Sequence, residues 1–76
     1  MKPAPGPHHS MSKATPVENL GEVYFEFTAV GAVVRVAAID AATGVEVIVM
    51  GPASASAADL KRLALAKLKA RLAAER

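Results

Sequence analysis

The stretch Gly21-Glu22-Val23-Tyr24-Phe25-Glu26-Phe27-Thr28-Ala29-Val30-Gly31-Ala32-Val33-Val34-Arg35-Val36 decides the fold. From residue 22 to 29 it alternates strictly. Val23, Phe25, Phe27 and Ala29 fall on one side, and Glu22, Tyr24, Glu26 and Thr28 on the other. A period of two is that of a half-buried strand. Gly31 then supplies the positive φ of a tight hairpin turn, and a second apolar run follows. With Val30-Gly31 as a two-residue loop, Ala29 pairs with Ala32, Phe27 faces Val34, Phe25 faces Val36 and Val23 faces Ala38. The same register sets Glu26 opposite Arg35, an ion pair worth about a few tenths of a kcal/mol.

Downstream, the second strand, Val33–Asp40, ends in Ala41-Ala42-Thr43-Gly44. This composition suits a four-residue loop with Gly44 in the left-handed position. A third strand over residues 45–50 then sets Val47 against Ala38 and Val49 against Val36. Val45, Val47 and Val49 join Phe25, Phe27, Val34 and Val36 on one face, the expected core. Gly51-Pro52-Ala53-Ser54-Ala55 breaks the sheet. Ser56 reads as an N-cap with Asp59 in the first turn, opening a helix over Ala57–Ala74 rich in alanine, leucine and lysine. At 100° per residue, Leu60, Ala64, Leu68 and Leu72 form a stripe, flanked by Leu65 and Leu63. The expected fold class is therefore α+β: a three-stranded antiparallel meander in the order 1-2-3, with one C-terminal helix packed on one face.

Residues 1–19 carry Pro3, Pro5, Pro7 and Pro16 among small and polar residues, with no apolar period. They read as a disordered tail, leaving residues 20–76 as a single small domain near the lower limit for an independent core. Met11-Ser12-Lys13 reads as an alternative start. Lys2 is followed by no apolar region of the kind that marks a secretory signal. No apolar run approaches the roughly 20 residues that span a bilayer. A cytoplasmic location is the resulting expectation.

The catalytic vocabulary is thin. The chain has no cysteine, and its two histidines, His8 and His9, lie in the proline-rich stretch without the further ligands a metal needs. Ser54 and Ser56 read as hinge and cap, and Gly21, Gly31, Gly44 and Gly51 as turn punctuation rather than a phosphate cradle. Glu22 and Glu26 share a strand face, but Arg35 opposite Glu26 would favour its ionised form over a general acid. The expectation is a non-enzymatic protein with no cofactor and no metal.

Two surfaces remain as candidates. The sheet face away from the core carries Tyr24, Val33, Ala37, Ile39, Ile48 and Met50 beside Glu26, Arg35 and Glu46, which is too apolar for a solvated face. Tyr24, Val33, Ile39, Ile48 and Met50 are the candidate interface, and a second copy is the simplest partner. A homodimer has three routes: stacked sheets, paired edge strands, or helices exchanged through residues 51–55. Charge supports self-complementarity. Residues 18–51 hold five acids against one base, and residues 52–76 hold six bases against two acids. The second surface is basic: Lys61, Arg62, Lys67, Lys69 and Arg71 offer a nucleic-acid-binding alternative. These bases spread around the helix, and no aromatic residue on it would stack on bases.

Three segments in combination carry a resemblance: residues 21–27, residues 38–47 (Ala38-Ile39-Asp40-Ala41-Ala42-Thr43-Gly44-Val45-Glu46-Val47) and residues 51–55. Over about residues 20–74 the chain resembles an uncharacterised family of short alphaproteobacterial proteins, a domain of unknown function. The resemblance implies a stand-alone bacterial domain and assigns no residue a role.

Overall fold

The structure is a computed structural model and describes residues 10–17 and 20–75. The order of elements is β1 (Ser10–Val17), β2 (Gly21–Val30), β3 (Val33–Asp40), β4 (Glu46–Pro52) and α1 (Ala57–Ala74). The strands form one antiparallel sheet in the order β1-β2-β3-β4, and α1 lies on one face over β3 and β4. The α+β class holds, but the sheet has four strands rather than three.

The additional strand, β1, comes from the stretch read as a tail. It carries no apolar alternation, so no pattern of its own announces it. What makes it a strand is β2, whose free backbone groups accept a ladder from Ser10↔Thr28 to Val17↔Gly21. Pro16 fits because of parity. Ala41 N donates to the Glu22 carbonyl, so even-numbered groups of β2 turn to β3 and odd-numbered ones to β1. In β1 it is then the odd-numbered residues that face β2, and the missing N–H of Pro16 falls on the outer edge. The expected tail residues 1–9, with His8 and His9, lie outside the described residues.

The β2–β3 register also differs from expectation. Val30 pairs with Val33, Phe27 with Val36, Phe25 with Ala38 and Val23 with Asp40. The loop is therefore Gly31-Ala32, and Gly31 takes φ 61° at its first position. A loop of Val30-Gly31 would instead put a β-branched residue where a primed turn needs positive φ, at a cost of order 1–2 kcal/mol. That outweighs the ion pair it would gain. Arg35 consequently lies opposite Thr28, and Glu26 opposite Ala37. The shift is two residues, so every side chain keeps its face.

The β3–β4 pairing follows the sequence reading, with Ala38↔Val47 and Val36↔Val49. Its loop closes as expected on Gly44 at φ 77°. Gly44 N donates to the Asp40 carbonyl at 2.8 Å, and the Thr43 hydroxyl donates to Asp40 Oδ2 at 2.7 Å. Asp40 is thereby buried at the end of the core face, its Oδ1 without a hydrogen-bond partner among the described residues.

Helix α1 begins where Ser56, in extended conformation, accepts from Asp59 N at 3.2 Å. Val23, Phe25, Val36, Ala38, Val47, Leu60, Ala64 and Leu68 form the buried core, with Leu65 and Leu72 packed against it. Leu63 departs from expectation and is exposed. It lies on the same side of α1 as Lys67, which reaches the outer edge of β4, so it projects past the sheet. The linker that returns the helix onto its own sheet is held by Ala53 N on the Ala32 carbonyl at 2.8 Å and Ala55 N on the Pro52 carbonyl at 2.9 Å.

Candidate interaction surface

Parity in the sheet assembles the outer face. Along β2 and β3 the pairs Tyr24↔Ile39, Glu26↔Ala37, Thr28↔Arg35 and Val30↔Val33 succeed one another. β4 adds Glu46, Ile48, Met50 and Pro52 beside Ile39, Ala37, Arg35 and Val33. The five candidate residues therefore lie on one continuous face. Met50, Tyr24 and Val33 are exposed, and Ile39 and Ile48 are half-buried. Val30, 57% exposed, belongs to the same patch and was missed because it was assigned to the loop. The corrected register puts it back on the strand. Ala37 is buried beneath its larger neighbours, so the face has a packed centre.

The outer edges are partly guarded against further strands. Asp40 N donates to the Val45 carbonyl, so odd-numbered β4 groups turn to β3 and even-numbered ones outward. Of these outward groups, Pro52 has no N–H, and the Ile48 carbonyl accepts from Lys67 Nζ at 2.8 Å. A proline and a lysine at an edge are the usual guards against sheet extension. Pro16 serves the same purpose on β1.

The basic residues do not form a stripe. Lys61 is half-buried with Nζ 4.8 Å from the centre of the Phe25 ring and 3.5 Å from the Thr15 hydroxyl. Arg62 pairs with Asp59 at 3.1 Å and Arg71 with Glu75 at 2.8 Å, both exposed. Lys67 holds the β4 edge. Among the described residues, only Lys69 of the five has no such partner. An apolar cavity of about 390 Å³ opens between Phe27, Ala29 and Val34 on one side and Ala53, Ala55 and Leu60 on the other. It has no charged lining that would orient a polar substrate. Among the described residues no three metal-ligating side chains converge, and no helix is long and apolar enough to cross a membrane.

A family model described as a domain of unknown function (DUF6898) matches residues 20–75. The chain belongs to this family. No curated protein and no solved structure gives a significant match. The family match begins at Leu20, so within this chain β1 lies outside it and β2 is the first strand of the family domain.

Proposed function

We propose that this member of the family is a small non-enzymatic interaction or accessory protein that works as a homodimer and presents its outer sheet face as the contact surface. The apolar run of Tyr24, Ile39, Ile48, Met50, Val33 and Val30 across one face carries the reading. Contiguous apolar surface of this kind is characteristic of interaction sites. Small size supports self-association, because a domain near the lower limit of independent stability gains most from burial shared with a second copy. The nucleic-acid alternative has less support. Lys61 and Lys67 are turned to the sheet, while Arg62 and Arg71 are neutralised within the helix. Sedimentation equilibrium at tens of micromolar tests the homodimer, and the expected result is twice the chain mass of 7.8 kDa. A single species at the chain mass would overturn it.

A further inference from the structure

β1 is attached to the fold almost wholly through β2. Among the described side chains, Val17 touches the core and the Thr15 hydroxyl lies 3.5 Å from Lys61 Nζ, beside the ladder to β2. Its sequence, Ser-Met-Ser-Lys-Ala-Thr-Pro-Val, is poor in the residues that favour strands. The backbone ladder to β2 runs along its whole length. It also lies outside the family match, whereas the strand it covers lies inside.

β2 is the longest strand of the sheet, and its alternating apolar residues make it the edge most in need of cover. The connection between β1 and β2 is short. It turns where Leu20 N donates to the Val17 carbonyl at 3.0 Å and Gly21 takes φ 80°.

From this arrangement we propose that the β2 edge is a strand-docking site filled in trans, with residues Ser10–Val17 of each copy seated on β2 of the other. The inference rests on the homodimer reading, places the self-contact at the β2 edge and leaves the outer face open to a further partner. The register permits it without change. A two-fold axis midway between Val17 and Gly21 reproduces every β1–β2 pair between chains, Thr15 with the partner's Val23 and Ala14 with the partner's Tyr24. Opening the hairpin makes β1 and β2 one extended strand. Lys61 of one copy then meets Thr15 of the other. Exchange of an existing element is a low-cost route to a dimer, since its contacts are those of the closed chain. The product is one six-stranded sheet on which the two outer faces lie side by side, doubling the contact surface.

The test uses the absence of native cysteine. Ala14 and Tyr24 are exposed, directly opposed and, by the parity of β2, a non-hydrogen-bonded pair, the geometry in which side chains come closest. Ala14→Cys/Tyr24→Cys is oxidised at tens of micromolar and run without reductant. Exchange gives a covalent dimer, and a closed hairpin gives an internal disulfide at monomer mass. An equimolar mixture of the two single variants gives a second readout: exchange makes the mixed disulfide predominate over both like-with-like disulfides. An internal disulfide in a protein that sediments as a dimer overturns the exchange and leaves the homodimer standing. An internal disulfide in a monomer overturns both.

Discussion

Phe25→Ala is expected to remove most of the stability of the domain. Phe25 is 1% exposed, the largest of the fully buried side chains, and lies between Ala38 on β3 and the Lys61 ammonium. Truncating a buried phenylalanine costs about 3–5 kcal/mol, the transfer term plus the cavity left behind. The lost cation–π contact adds about 0.5–1 kcal/mol. A domain of this size has only about 3–8 kcal/mol in total, on the usual scale of 0.05–0.15 kcal/mol per residue. The variant should therefore be largely unfolded at 25 °C, read as loss of far-ultraviolet circular dichroism and of a cooperative urea transition. Leu63→Ala, at an exposed position of the helix, is the control and should shift stability by no more than about 0.5 kcal/mol. A Phe25→Ala protein that melts within a few degrees of the parent would show that the core is not centred on β2 and β3.

The second large effect is expected at Gly51, where local and tertiary physics have opposite signs. Gly51 pairs with Val34 in β4 and its φ is not positive, so valine there would raise strand propensity. A Cβ built at this position, however, lies 2.6 Å from Leu60 Cδ2, and Leu60 is buried in the core. The methyl has to give way toward the cavity that Leu60 lines, which forces a core side chain off its rotamer. Overpacking of this kind costs about 1–3 kcal/mol, more than the propensity gain, so Gly51→Val should destabilise. Leu60→Ala alone should cost about 2–5 kcal/mol. Gly51→Val/Leu60→Ala should cost less than the sum of the two, because the added volume fills the space vacated. Urea midpoints for the four proteins of this cycle give the coupling directly. Additive effects would mean that the helix does not close on β4 at Gly51.

The same contact explains why the linker cannot be read as punctuation alone. Gly51 looks like a strand terminator, yet β4 continues through it to Pro52. The glycine is there because α1 crosses at that point. A comparable lesson holds for Lys61. As one base among five it suggests a solvated surface, but it is half-buried, with its ammonium over the Phe25 ring and within reach of the Thr15 hydroxyl of β1. Long basic side chains routinely cover apolar surface in this way, and the leucine stripe alone does not mark which of them will.

By itself the sequence determined the elements whose information is local. Strict alternation set the two faces of β2, Gly44 set the β3–β4 loop and with it that register, and Ser56 with Asp59 set the start of the helix. Period, positive φ and capping each act within a few residues, so each is readable from a few residues. Tertiary structure decided the rest. The β2–β3 register could slide by two residues without moving any side chain to the other face, so the apolar pattern was blind to it. The position of the turn glycine chose between the registers. β1 was invisible for a related reason: it has no pattern of its own and exists because β2 offers unpaired backbone groups, which residues 10–17 alone do not reveal. The outer face was legible as five apolar residues, but its continuity, with Val30 included and Ala37 sealed beneath, followed only from how the strands pair.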